Sequence, residues 1–89
     1  MPYIEPDQRK KLDIWIDCLL RAIDVTKPID LIAKDFTYVV YRLLRRVFFG
    51  RFWIRAIGIG CMVCVILEWY RRDCSRLEDQ AIEKNGDIL

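Results

Sequence analysis

Two groups of residues in this sequence could support chemistry: a pair of cysteines and a block of arginines mixed with aromatic residues. Cys61 and Cys64 form a C-x-x-C pair within RAIGIGCMVCVILEWYRR. Structural zinc usually takes four cysteine or histidine ligands, and a redox pair usually opens a helix beside a strand. The chain has no histidine, and Cys18 and Cys74 are its other thiols. Since no strand pattern is present, we expect thiols buried in packing, with no metal and no cofactor.

The arginine block contains five arginines and no acidic residue between positions 36 and 60. Arginine binds phosphate or carboxylate through paired hydrogen bonds, and aromatic faces stack on bases. The residues predicted to bind a partner or an anion are Tyr38, Tyr41, Arg42, Arg45, Arg46, Arg51 and Arg55. An equally supported alternative is a solvated helix face whose arginines pair with Asp13, Asp17 and Asp24. The net charge of +2 argues against strong nonspecific binding to nucleic acid.

Catalysis finds little support in the sequence. Histidine, the most frequent general base, is absent, and Ser75 is the single serine. No glycine-rich phosphate loop follows a strand, and no nucleophile has an evident base nearby. We therefore predict a non-enzymatic protein with no catalytic residues.

The elements that position these residues are predicted to be helices of one domain spanning residues 1–89. Apolar residues recur at steps of three and four, which predicts helices over about 7–25, 36–49 and 52–84. Asp7 and Asp35 are the expected N-terminal caps, and Gly50 is the expected stop. Residues 29–34 are expected to form a connector, with one short helical turn as the alternative. The predicted fold is all-α, a small self-associating bundle of three to four helices.

Size and composition favour association between copies. A chain of 89 residues is marginally stable alone, and 54% of these residues are apolar, which is rich for that length. The N-terminal segment MPYIEPDQRKK is polar and lacks the apolar stretch that a secretory signal requires. A cytoplasmic setting with reduced thiols is the expectation.

The uncharged run at residues 56–67 has three interpretations: a membrane span, a metal or redox site, and a protein-covered helix. Its twelve residues span about 18 Å as a helix, whereas a hydrocarbon core is about 30 Å thick. Arg55 and Glu68 bound the run, so the sequence favours a helix covered by protein. Small residues at four-residue spacing predict close approach of a neighbouring helix, in the same chain or in a second copy. The predicted self-interface is Ala56, Ile57, Gly60, Cys61 and Cys64.

Short motifs spread over nearly the whole chain match a family pattern. They are MPYI at residues 1–4, TYVVYRL at 37–43, IG at 57–58, LEWYRR at 67–72 and KNGDI at 84–88. These motifs resemble, in the same order, five segments of a small uncharacterised helical family of bacteria and their phages. The family segments are its MPYI start, LNYVITRL, EVIGVLE, LEFYRR and ENGDV. The resemblance implies a soluble helical protein but carries no known activity.

Departures from the family pattern concentrate in the third helix. Thr37 replaces a usual asparagine, and the charged residues around the family's IGVLE segment are replaced by Gly60, Cys61, Met62 and Val65. These apolar replacements imply that this chain buries more of its third helix, for instance against another copy. A proline usual after YRR is absent, which implies a continuous last helix.

The function expected from this sequence is macromolecular binding by a helical homo-oligomer with a protein partner. The occurrence of the resembled family in phages implies an inhibitor or adaptor acting in the host cytoplasm. A first alternative is a sponge for a phosphate-bearing nucleotide held by Arg42, Arg45, Arg46 and Tyr38 or Tyr41. A second is a small membrane-associated protein, which the short uncharged run disfavours.

Overall fold

The protein is all-α, as the sequence predicts. The computed structural model describes residues 3–88, and this part of the chain contains no strand. The helices are α1 at Pro6–Ile23, α2 at Ile29–Val47, α3 at Phe52–Trp69 and α4 at Ser75–Asn85. A π-helical turn, Tyr70–Cys74, joins α3 to α4 without a break.

The start of α2 corrects the sequence prediction. The residues expected to form a connector, 29–34, belong to the helix, which begins directly after Pro28. Proline lacks an N–H, and its fixed backbone angle suits a helix entrance, so Pro28 starts α2 rather than ending a connector. Asp35 therefore caps nothing. It lies inside α2, where its carboxylate pairs with the ammonium of Lys27 across the α1–α2 turn.

The ends of α1 also differ from the prediction. Glu5 precedes the first helical residue, Pro6, so Asp7 lies within the first turn rather than at the cap. The helix ends at Ile23 because Asp24 takes a left-handed backbone, with φ of 58°. The Asp24 carboxylate accepts hydrogen bonds from the hydroxyl and backbone N–H of Thr26, which lower its pKa. This local turn reverses the chain before α2.

The predicted stop, Gly50, lies in the turn between α2 and α3, but the C-cap of α2 is Phe48. Helix α2 ends at Val47, and Gly50 has φ of 112°, a conformation that glycine adopts at no steric cost. We call residues 48–51 the elbow. The phenyl ring of Phe48 folds from the elbow onto α3, where an added Cβ on Gly58 would lie 2.9 Å from it. Gly58 is the buried residue of α3.

The helices are loosely assembled within one protomer. Its radius of gyration is 16.8 Å, whereas a compact chain of this length has about 12 Å. Ile23 is the buried apolar core residue of the described chain, with 8% of its surface exposed. Large apolar side chains of every helix remain exposed, including Trp15 of α1 and Phe52 of α3. The chain forms helices, as predicted, but one protomer does not cover their apolar faces.

The continuous helical rod Phe52–Asn85 is 34 residues long. By length and composition alone, it is long and apolar enough to cross a membrane. Its most apolar 18-residue window has a mean hydropathy of 1.7, and 6% of that window is buried. Helix α3 carries apolar side chains on all of its faces, which is typical of a helix enclosed by protein or lipid.

Candidate functional site

The C-terminal half of α2 carries two arginine–tyrosine pairs. Arg42 donates a hydrogen bond of 2.8 Å to the Tyr38 hydroxyl, and its guanidinium lies 5.7 Å from the centre of that ring. The Arg45 guanidinium lies 5.8 Å from the centre of the Tyr41 ring. Each pair joins positions four apart, so the four side chains share one exposed face of α2.

An open apolar groove lies between this part of α2 and α3, beside the elbow. Its volume is about 660 Å³. It is lined by Tyr41, Leu44, Arg45, Phe48, Phe49, Arg55, Gly58, Ile59, Met62, Val63 and Ile66. Three of the seven predicted binding residues, Tyr41, Arg45 and Arg55, are therefore brought together around one hollow. We call this hollow the elbow groove.

The other predicted binding residues lie outside the elbow groove. Tyr38 and Tyr41 line a neighbouring hollow on α2. Arg42 donates its hydrogen bond to the Tyr38 hydroxyl. Arg46 lies in the last turn of α2, and Arg51 immediately precedes α3. Both side chains are exposed. The structure thus divides the predicted surface into a groove and a solvated remainder.

The acidic residues of α1 do not neutralise the arginine block. Within residues 3–88 the ion pairs are Lys10 with Asp7, Lys27 with Asp35, and Arg71 with Glu68. The predicted pairing of Asp13, Asp17 and Asp24 with the arginines is therefore not formed in this protomer. The solvated helix face of that alternative stays a prediction, since the arginines are exposed. The positive charge at the elbow is left for solvent or for a ligand.

The predicted self-interface occupies the side of α3 away from the elbow groove. With 3.6 residues per turn, Ala56, Gly60 and Cys64 form one stripe roughly opposite Ile59 and Met62. Nothing lies within 4 Å of a Cβ added to Gly60, so the stripe is open along its centre. Ile57 and Cys61 flank it, and both are exposed.

The expectation that the C-x-x-C thiols are buried is wrong within the protomer. Cys61 and Cys64 are exposed free thiols, as is Cys18, and Cys74 is half-buried. Groups of three or more histidine, cysteine or acidic residues placed to share a metal ion do not occur between residues 3 and 88. The chain leaves α3 uncovered on this side, which is why the thiols face outward.

A polar cluster that sequence analysis missed joins the N-terminus to the end of α3. The Tyr3 hydroxyl donates a hydrogen bond of 2.8 Å to Glu68, and Arg72 donates one of 2.9 Å to the same hydroxyl. Arg71 forms an ion pair with Glu68, which lies three positions earlier on the same rod. The hydrogen bonds from Arg71 and then Tyr3 lower the pKa of Glu68. We call these four residues the Tyr3 clamp.

The only sequence signal for the Tyr3 clamp was indirect. MPYI and LEWYRR are both motifs of the family resemblance, yet they stand more than sixty positions apart. No periodicity links them, because their contact is made between residues distant in sequence. A tyrosine near one end and a Glu-x-x-Arg-Arg near the other do not predict a contact by themselves.

Comparison with known proteins places the chain in a family. Residues 1–88 match the model of a domain of unknown function, DUF6899, so the chain belongs to that family. No curated protein and no solved structure matches the chain. The family covers the whole helical array, including both motifs of the Tyr3 clamp, and brings no assigned activity with it.

Proposed function

We propose that this member of the DUF6899 family is a non-enzymatic binding protein that self-associates through α3 and engages a protein partner through its arginine–tyrosine face. The single observation that carries the proposal is the uncovered apolar surface of α3. Burying one large apolar side chain stabilises a protein by about 1.5–3 kcal/mol. Because Ile57 and Leu67, beside the small residues of α3, are exposed in one protomer, covering them favours association.

The stripe of small residues supports self-association by close helix contact. Gly60 has open space above it, and Ala56 and Cys64 have short side chains. A second α3 can therefore approach closely and gain dispersion contacts along the stripe. A two-fold axis across the stripe makes the contact self-complementary, which is the usual geometry of dimers.

The arginine–tyrosine face supports binding of an acidic protein surface. Tyr38 and Tyr41 hold Arg42 and Arg45 in place, which reduces the entropy lost when the guanidinium groups bind carboxylates. Arg46 and Arg51 extend the positive surface. A phage-encoded inhibitor or adaptor of a host protein is the finer form of this proposal, and it rests on the phage members of the resembled family.

Light scattering after size exclusion tests the self-association. The wild-type chain is expected to give at least twice the protomer mass of 10.7 kDa, falling on dilution. Gly60→Leu is expected to give the protomer mass, because the added side chain blocks close approach. Ala81→Leu, on the exposed face of α4, is the matched control and keeps the wild-type mass. A wild-type chain that is monomeric at every concentration contradicts the proposal.

A pull-down tests the partner surface. Replacing Arg45 and Arg46 with alanine is expected to lower the yield of any partner that the wild-type chain captures, without changing the helical circular dichroism. Arg76→Ala combined with Lys84→Ala removes the same charge from α4 and serves as the control. An undiminished yield from the Arg45 and Arg46 variant argues against this face as the partner site.

Membrane association is a second candidate, favoured by the apolar rod Phe52–Asn85. Trp53 and Trp69 flank the uncharged run, and tryptophan is enriched at both membrane interfaces. Arg55 and Glu68 limit the uncharged length to about 18 Å, which is short of a hydrocarbon core. Recovery in the soluble fraction without detergent supports self-association. Retention in membranes after alkaline washing supports the span.

A further inference from the structure

The elbow groove combines an apolar floor with positive charge at one end. Ile59, Met62, Val63 and Ile66 line it along α3, and Leu44 and Phe48 line it on the other side. From Arg55 to Ile66 the groove follows about 16 Å of helix. Its volume of about 660 Å³ lies within the range of about 300–1,000 Å³ typical of small-molecule sites.

The charge of the elbow groove is concentrated near the elbow. Arg45 approaches from the last turns of α2, and Arg55 from the first turn of α3. Neither arginine takes part in an ion pair within the described part of the chain. No acidic residue occurs between positions 36 and 60. The described part of the chain therefore supplies no paired negative charge to these two guanidinium groups, and an anionic ligand can supply it.

We propose that the elbow groove binds one molecule of a long-chain carboxylate. The carboxylate accepts hydrogen bonds from Arg45 and Arg55, and the hydrocarbon chain lies along α3 towards Ile66. This ligand matches both halves of the groove, because burial of its chain is favourable and its charge is paired. The Tyr41 hydroxyl is the other polar side-chain group in the lining.

A nucleotide matches this groove less well than a carboxylate with a hydrocarbon chain. Its phosphates suit the two arginines, but its base and ribose carry hydrogen-bonding groups. The lining beyond Arg45, Arg55 and Tyr41 has apolar side chains, so those groups would lose water without gaining a partner. The composition of the groove therefore selects an apolar ligand body.

This site is independent of the proposed self-association, because the elbow groove and the Ala56–Gly60–Cys64 stripe lie on different sides of α3. Gly60→Leu is expected to change the mass in solution while leaving carboxylate binding unchanged. Substitutions at Arg45 and Arg55 are expected to do the reverse. Failure of one proposal is thus distinguishable from failure of the other.

Titration calorimetry with palmitate below its micelle concentration tests the proposal. One palmitate is expected to bind per chain. Hexadecanol has the same chain without the charge and is expected to bind about tenfold more weakly or worse, and butyrate, which lacks the long chain, is expected not to bind. Arg45→Gln combined with Arg55→Gln is expected to weaken palmitate binding by about tenfold or more. Arg46→Gln, outside the groove lining, is the matched control.

Four outcomes would overturn the proposal. They are equal affinity for palmitate and hexadecanol, equal weakening by Arg46→Gln, binding of ATP but not palmitate, and binding of anionic phospholipid vesicles without binding of free palmitate. Ile59→Glu places a carboxylate in the groove and is expected to abolish palmitate binding. Circular dichroism of that variant establishes that it remains helical, and the arginine variants provide the test if it does not.

Discussion

The two sides of α3 are both apolar, but they differ in side-chain size and in their surroundings. On the elbow side, Gly58 lies under the ring of Phe48, and the arginine-ended groove runs along the helix from there. On the stripe side, Gly60 has no neighbour, and the surface is formed by short side chains. The two glycines stand two positions apart, yet one lies in an internal contact and the other is open to a second molecule.

This difference teaches that a glycine in an apolar helix does not reveal its role by type. Each glycine costs a helix about 0.5–1 kcal/mol relative to alanine. At Gly58 the cost is offset by close packing of Phe48 within the protomer. At Gly60 nothing in the protomer offsets it, which is why we assign that position to contact with a second copy.

The largest expected effect is that of Gly58→Leu. The new side chain would overlap the Phe48 ring, since even a Cβ meets it at 2.9 Å. We expect a loss of about 1–3 kcal/mol in the free energy of unfolding, measured by urea denaturation at low protein concentration. Adding Phe48→Ala should recover part of that loss. Unfolding equal to the wild type would show that the elbow does not pack as described.

Gly60→Leu should separate assembly from protomer stability. Because the position is open, we expect a change of less than about 1 kcal/mol in protomer unfolding, measured as above. The same substitution should weaken self-association by about tenfold or more, measured by sedimentation equilibrium. An equal loss of stability from Gly58→Leu and Gly60→Leu would erase the distinction between the two sides of α3.

Alanine at Gly58 and Gly60 should change stability less than leucine does, and the two alanine variants should shift stability in opposite directions. Gly60→Ala should raise the thermal midpoint of the protomer, because it recovers about 0.5–1 kcal/mol of helix propensity without a clash. Gly58→Ala should lower the midpoint, because the Phe48 ring must move. Differential scanning fluorimetry compares the two variants directly, and shifts of the same sign would contradict the comparison.

The Tyr3 clamp should give the smallest effect, and one that depends on pH. The pKa of Glu68 is lowered in the folded chain, so the clamp stabilises the fold above the ordinary value of 4.5. That contribution is lost as the pH falls through the lowered pKa. Tyr3→Phe and Glu68→Gln should each flatten the dependence of stability on pH below the ordinary value of 4.5. If the free energy of unfolding of Glu68→Gln depended on pH as in the wild type, other carboxylates would be responsible for that pH dependence.

Helix identity was accessible from the sequence because it depends on local periodicity and on proline and glycine. The third helix was predicted to run from Phe52 through the LEWYRR motif, and it does so. The start of α2 was missed because residues 29–34 contain a lysine, an acid and few regular repeats. Residues 29–34 are helical because Pro28 precedes them as the N-cap of α2. This is a short-range effect that the spacing of apolar residues does not report.

The candidate site was only partly predictable. Five of the seven predicted binding residues lie on α2, and the sequence grouped them by charge and spacing. It did not separate Tyr41, Arg45 and Arg55 from Arg46 and Arg51, because that division depends on the angle at the elbow. It also expected the C-x-x-C thiols to be buried, whereas Cys61 and Cys64 are exposed.

The sequence by itself determined that this chain is helical and that α3 is apolar on every side, since both properties depend on neighbouring residues. Tertiary structure alone decided which side of α3 meets Phe48, where Arg45 and Arg55 come together, and that Tyr3 reaches Glu68. A uniformly apolar helix has no polar face to set its rotation in the fold. Its orientation is therefore chosen by contacts between residues distant in sequence, which periodicity does not encode.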